Sequence, residues 1–123
     1  MRVSKEEFEA LVEEALEQLP EEFREALDNV AVMVEEEPSD DDLDSVGIDP
    51  SNPERDELFG LYQGVPLTER DSFYSALPDR VLVFRGPILR SCSSRREAIR
   101  EIRETVQHEL GHYFGLDEDE MPF

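Results

Sequence analysis

Apolar residues recur at helical spacing near the start of the chain and then give way to a short apolar run. Ser4 and Glu7 form a capping box, in which two residues cap each other's backbone at a helix N-terminus. The predicted helix has apolar residues three and four positions apart, at Phe8, Leu11, Val12, Ala15, Leu16 and Leu19. Pro20 ends this helix and can be the first residue of a second one, over roughly residues 21–27. Residues 30–34 then predict a buried strand.

Two further strand patterns follow in the second half of the chain. Residues 58–63 and 80–85 are bounded by turn residues and predict strands. A Gly-Pro pair at residues 86–87 breaks the second strand before a short extension through residues 88–89. Residues 68–77, between the strands, are expected to be irregular or briefly helical.

The last predicted element is a long helix. Ser93 or Ser94 caps its start, it runs to about residue 114, and Gly115 stands where a left-handed C-terminal cap belongs. The complete order predicts an α+β fold with N-terminal helices, a small mixed sheet and a long C-terminal helix. A length of 123 residues is that of one domain, so we expect residues 1–123 to form a single unit.

Charge is distributed unevenly along the chain. Residues 35–57 hold eleven acids against one arginine, together with three prolines, and predict a solvated acidic loop within that domain. Residues 79–103 hold seven arginines against three acids, and we expect them to pair with acidic groups of the same chain, including this loop.

Composition excludes several classes of protein. The net charge is −20, which disfavours binding to nucleic acid phosphates. No run of 18 apolar residues is present and the first residues lack the apolar stretch of a signal peptide, so we expect a soluble cytoplasmic protein without membrane contact. The single cysteine, Cys92, excludes an internal disulfide and a zinc site built from several cysteines.

The long helix contains the motif HExxH, formed by His108, Glu109 and His112. Residues four apart share one helical face, so both imidazoles can hold one metal ion, and Glu109 projects about 100° away, where it can act on a metal-activated water. The helix buries a different stripe, made of Ile99, Ile102, Val106, Leu110 and Tyr113. The two histidines point about 140° from the centre of that stripe. They are therefore predicted to bind a metal ion, zinc before iron or nickel, rather than to pack in the core.

A third ligand is expected close behind the motif. Only eleven residues follow His112, which are too few to supply the ligand from a later helix. Gly115 lets the chain turn sharply, and Glu118, ten residues after His108, can swing back to the metal. Asp117 is the competing candidate, and the acidic loop offers further carboxylates.

Residues 105–115 resemble the active-site helix of the small bacterial zincin-like metallopeptidases, or minimal zincins. The resemblance extends through residues 60–70, 77–80 and 84–90, and it includes the first helices and the strand at residues 30–34. It implies a compact helix–sheet–helix domain with the motif HExxHxxGxxD, in which two histidines and an acid bind zinc and the glutamate is the general base. Glu118 stands here at the aspartate position.

The resemblance implies that the chain is a zinc-dependent metallopeptidase. His108, His112 and Glu118 would bind one Zn²⁺ ion and Glu109 would be the catalytic base. The substrate would be a peptide or unfolded protein, paired with an edge strand for which residues 80–85 are the candidate, although they could equally be an internal strand. A protein partner or a second copy of the chain could complete the cleft. The alternative is a non-catalytic binding or regulatory module in which the same metal site only stabilises the fold.

Overall fold

The computed structural model describes residues 1–65, 67–69 and 79–121. Its helices are α1 Lys5–Glu17, α2 Glu21–Ala26, α3 Asp40–Ser45, α4 Arg85–Ser91 and α5 Arg95–Tyr113, and its strands are β1 Val30–Glu35, β2 Gly60–Gln63 and β3 Asp79–Phe84. Short 3-10 helices span Pro53–Glu57, Leu67–Glu69 and Glu118–Glu120. The predicted α+β class is confirmed. Residues 68–77 were expected to be irregular or briefly helical. Of these, residues 70–77 lie outside the described residues.

The three strands form one mixed sheet in the order β1-β3-β2. β1 runs parallel to β3, with Val30 opposite Asp79, and β2 runs antiparallel to it, with Gly60 opposite Val83. The strand predicted at residues 80–85 is therefore the internal strand of the described sheet, and β2 is the edge strand beside the long helix. Strand order depends on contacts far apart in the sequence, which local periodicity does not report.

The main core lies between one face of the sheet and the helices α1 and α5. The Ser4–Glu7 capping box is present and starts α1 as predicted. Phe8 of α1, Val81 and Val83 of β3 and Ile102 of α5 have no solvent exposure. The opposite face of the sheet carries a smaller apolar cluster, which consists of Leu61, Leu82 and Phe84 with Leu58 against them.

The acidic segment, residues 35–57, is largely exposed to solvent as its charge predicted, but it is not a loop throughout. It contains α3, whose N-terminus has a second capping box, between Ser39 and Asp42. Leu43 is fully buried and anchors the helix. The acids in the first turn stabilise a helix N-terminus, so the charge of this segment is compatible with helix formation.

A second difference concerns the residues after β3. The Gly-Pro pair ends the strand as predicted, but the chain continues as α4 rather than as an extended segment. Pro87 lies in the first turn of this helix. Backbone N–H groups there have no acceptor within the helix, so a proline costs no helical hydrogen bond. Within the described residues, no helix has the length and apolar character needed to cross a membrane.

The predicted pairing of arginines with the acidic segment is confirmed. Arg85 lies 2.9 Å from Glu36, and Arg90 lies 2.7 Å from Glu37 and 2.8 Å from Asp56. These ion pairs join the start and end of the acidic segment to α4.

Candidate metal centre

Helix α5 presents His108 and His112 on the side away from its buried stripe, and Glu109 lies between that side and the stripe, facing β2. The Ser94 hydroxyl accepts from the Glu97 N–H and caps the helix, and Ile102 and Leu110 are fully buried beneath it. The histidine side chains retain 29% and 27% of their exposure, as expected for ligands at the edge of a cleft. Ligand atoms of the three motif residues lie within 4.8 Å of one another, so they could hold a metal ion.

The Glu118 carboxylate lies between the two imidazoles. It is 3.0 Å from His108 Nε2 and 2.8 Å from His112 Nε2. Burial of Glu118 opposes ionisation, but hydrogen bonds to both histidines outweigh it and hold the pKa of this carboxyl below its ordinary value. The structure thus brings together His108, His112 and Glu118, the three side chains that were singled out as ligands.

The ring of His112 is oriented by a backbone carbonyl. Its Nδ1 is 3.0 Å from the Leu116 carbonyl oxygen, which can only accept, so Nδ1 carries the hydrogen. Nε2 then faces a Glu118 oxygen 2.8 Å away, to which it donates when it carries a hydrogen. In the tautomer with hydrogen on Nδ1 alone, Nε2 has a lone pair directed at the same place, where a metal ion could bind.

The same donor set fits zinc in type, and it fits in spacing after a small opening of its contacts. Two imidazoles and a carboxylate are ligands that catalytic zinc sites use, with a fourth position left for water. Ligand atoms about 2.0–2.1 Å from a tetrahedral zinc ion lie roughly 3.3 Å apart. A small opening of the present contacts of 2.8 and 3.0 Å between His112, His108 and Glu118 would therefore admit the ion.

The turn after α5 returns Glu118 to the histidines. Gly115 has φ of +90°, and the N–H groups of Gly115 and Leu116 donate to the carbonyls of His112 and Gly111, which is a Schellman motif. Asp117 then occupies the N-cap position of the 3-10 helix that begins with Glu118. Of the two predicted candidates, Glu118 is the one that contacts the imidazoles.

Glu109 is fixed from the other side of the cleft by the edge strand. The Tyr62 N–H donates to Glu109 Oε1 at 3.0 Å. Burial raises the pKa of Glu109, although His112, the Tyr62 N–H and His108 act in the opposite direction. A carboxylate with raised proton affinity beside a candidate metal site is suited to accept a proton.

Two backbone features place the Tyr62 N–H. Phe84 donates from its N–H to the Phe59 carbonyl, so by antiparallel alternation Gly60 and Tyr62 turn their N–H and C=O groups away from β3. A side chain at Gly60 would put its Cβ 2.5 Å from Thr105 Cγ2, so glycine is what allows β2 to lie this close to α5. The sequence did not predict that Gly60 or the Tyr62 N–H would position Glu109.

Tyr62 is held at its other end by a buried carboxylate. Its hydroxyl donates to Asp79 Oδ2 at 3.0 Å, and Asp79 is only 2% exposed. The ring packs edge-on against Tyr113, with centroids 6.2 Å apart. These contacts fix the residue whose backbone holds Glu109.

The histidines open into a cleft of about 580 Å³. α5 and Glu118 form one side, β2 forms another, and residues at the end of α3 form a third, with Val46 and Ile48 among them. The chain turns at Gly47, whose φ is +77°, and this turn brings Ile48 to the cleft. A segment predicted to be a solvated loop is therefore a wall of the candidate site.

Comparison with known proteins supports the family that the sequence resembles. A family profile described as zincin-like metallopeptidase matches residues 27–122. The structure is similar to that of a conserved hypothetical protein from Thermus thermophilus, with 26% sequence identity, a TM-score of 0.55, and coverage of 91% of this chain and 94% of the other. No curated protein matches. The family match spans most of the chain and includes the whole motif, so this chain belongs to the zincin-like metallopeptidase family.

Proposed function

We propose that the chain is a zinc-dependent peptidase that hydrolyses peptide bonds, with His108, His112 and Glu118 as zinc ligands and Glu109 as general base. The observation that carries the proposal is the convergence of His108 Nε2 and His112 Nε2 on the Glu118 carboxylate, at 3.0 and 2.8 Å, next to a buried Glu109. Family membership supports the same activity.

The zinc ion, when bound, would supply a Lewis acid that polarises a carbonyl and lowers the pKa of a water molecule to near neutral pH. Glu109 would accept the proton of that water and pass it to the leaving amine. The Tyr62 N–H occupies Glu109 Oε1, so the carboxylate is held in one orientation. The Leu116 carbonyl holds the His112 ring in the tautomer that keeps Nε2 available for zinc.

The edge strand β2 is suited to bind an extended peptide. Gly60 turns its N–H and C=O groups away from β3 and lines the cleft beside Glu109, while the Tyr62 N–H on the same edge is already bonded to Glu109. A peptide chain added along this edge would bring one of its carbonyls to the histidines. This mode requires an extended segment, so we propose short peptides or unfolded proteins as substrates, and no nucleic acid because of the net charge of −20.

Incubation of the zinc-loaded chain with a mixed peptide library, followed by mass spectrometry, tests the activity. We expect discrete cleavage products, and Glu109→Gln should lower their rate of formation by about 10²–10⁴-fold because it removes the general base. Zinc content should remain unchanged in this variant. Glu13→Gln, the same change on the exposed surface of α1, is the control and should cleave like the wild type. An inactive wild type, or an undiminished rate in Glu109→Gln, would overturn the proposal.

A second candidate function has one observation in its favour. A Glu109 oxygen lies within 4.8 Å of both imidazoles, so a small rotation would make it a fourth protein ligand and close the site. Zinc would then stabilise the fold without catalysis. X-ray absorption of the zinc-loaded chain separates the two: three protein ligands and one water support the peptidase, and four protein ligands support the structural role.

A further inference from the structure

The cleft continues beyond the histidines into a pocket with apolar walls. Val46 and Ile48 at the end of α3 and Leu58 and Leu61 beside β2 line the same cleft as the candidate zinc ligands. Val46 is 43% exposed. Few other large apolar side chains among the described residues are as exposed. An exposed apolar wall next to reactive groups is typical of a pocket that is covered by a ligand.

The wall is held in place rather than being a loose loop. The Ile48 N–H donates to the Leu43 carbonyl and the Gly47 N–H to the Asp44 carbonyl, so α3 ends in a Schellman motif. Gln63 Nε2 donates to Asp42 Oδ1 at 3.1 Å and ties α3 to the edge strand. The distance from the apolar wall to the zinc site is therefore set by the fold.

Charge adds a second restriction. A smaller concave surface of about 290 Å³ adjoins the cleft at His108 and Glu109, and it is lined by Glu57, Glu101 and Glu104. Among the described residues that line either surface there is no lysine or arginine. These acids do not form a binding site by themselves, but they repel acidic peptides and favour basic ones through long-range attraction.

We propose that Val46, Ile48, Leu58 and Leu61 form the specificity pocket for one large apolar side chain of an extended peptide whose neighbouring residues are basic. The inference rests on the proposed peptidase function because it assigns the substrate class of the same site. It adds that the acidic segment, through α3, selects the substrate, while α5 carries the chemistry.

Peptide binding tests this selection without depending on turnover. Zinc-loaded Glu109→Gln is titrated with fluorescent heptapeptides that have a central Phe, Ala or Glu and lysines on both sides, and binding is followed by fluorescence anisotropy. We expect the Phe peptide to bind about tenfold more tightly than the Ala peptide and the central-Glu peptide to bind most weakly. Replacement of the flanking lysines by glutamates should weaken binding, and added salt should reduce this difference.

Two matched variants locate the preference. Val46→Trp, in the Glu109→Gln background, fills the pocket and should abolish the preference for Phe over Ala. Met33→Trp is the control, since Met33 is 41% exposed on β1, at the opposite edge of the sheet. It should leave the preference unchanged. Circular dichroism checks that both variants fold.

The outcomes separate this inference from the proposed function. Equal binding of the Phe and Ala peptides, or a Phe preference that survives Val46→Trp, overturns the pocket even when the wild type cleaves peptides. A Phe preference that Val46→Trp removes supports the pocket even when the wild type cleaves nothing, in which case only the peptidase proposal fails.

Discussion

The two helices that flank the cleft end in the same way and have different tasks. Both α3 and α5 finish in a Schellman motif, with Gly47 and Gly115 in the left-handed conformation. α5 has 19 residues and a continuous buried stripe, whereas α3 has six residues and a single buried side chain, Leu43. The long helix carries the residues to which we assign chemistry, and the short one carries those to which we assign selection.

The surroundings of the two glycines differ more than their backbones. A Cβ at Gly115 would overlap the side chain of Thr68, while a Cβ at Gly47 would meet nothing within 4 Å. The turn after α5 is therefore packed against the rest of the chain, and the turn after α3 is open. Glu118 depends on the packed turn for its position, so the proposed zinc site should tolerate less change there than the apolar wall tolerates at Gly47.

The largest effect is expected from Gly115→Ala. The variant combines a left-handed backbone, which costs about 1–3 kcal/mol for a residue other than glycine, with the overlap at Thr68. We expect lower stability in urea and at least a tenfold loss of zinc affinity, measured by competition with a chelating dye. Unchanged zinc affinity would show that the turn does not position Glu118.

Gly47→Ala should have a smaller effect and a different one. Only the same backbone strain of about 1–3 kcal/mol remains, because no atom opposes the new Cβ. Zinc affinity should equal that of the wild type, whereas the preference for the Phe peptide should decrease. A loss of zinc affinity as large as that of Gly115→Ala would contradict the separation of the two walls.

The smallest effect is expected at the ion pairs that hold the acidic segment. The Arg90 guanidinium, hydrogen-bonded to Glu37, keeps the pKa of this carboxyl below its ordinary value. The pair therefore stabilises the fold above the ordinary glutamate pKa of about 4.3, and this contribution is lost as the pH falls through the lower pKa of the folded state. Glu37 is 43% exposed, so solvent screening limits the contribution to less than about 1 kcal/mol.

Glu37→Gln checks this estimate. Urea unfolding at several pH values should show a small stability loss near neutral pH and a loss that shrinks in acid, where the wild-type carboxyl is also neutral. A loss that is equal at all pH values would assign the effect to packing rather than to charge.

The long helix and its motif were predictable because their signals are local. Apolar spacing reports which face of α5 is buried, and the spacing of His108 and His112 places both on the other face. The third position was less certain, since Glu118 and Asp117 are adjacent acids. Only the Schellman turn and the following 3-10 helix determine that Glu118 contacts the imidazoles.

Two other features needed the folded chain. The charge of residues 35–57 hid a helix whose own signals are present, namely the Ser39–Asp42 capping box, Leu43 as an anchor and Gly47 after the last turn. The contact between Tyr62 and Glu109 uses a backbone N–H from a residue 47 positions away. A backbone donor has no residue-type signature, so no pattern in the sequence reports it.

Zinc content tests the central proposal most directly. Wild type, His112→Ala and Asp117→Ala are dialysed against a weak chelator and analysed for metal by elemental analysis. The account predicts about one zinc ion per chain in the wild type and in Asp117→Ala, and none in His112→Ala. A wild type without zinc, or full zinc content in His112→Ala, would contradict it.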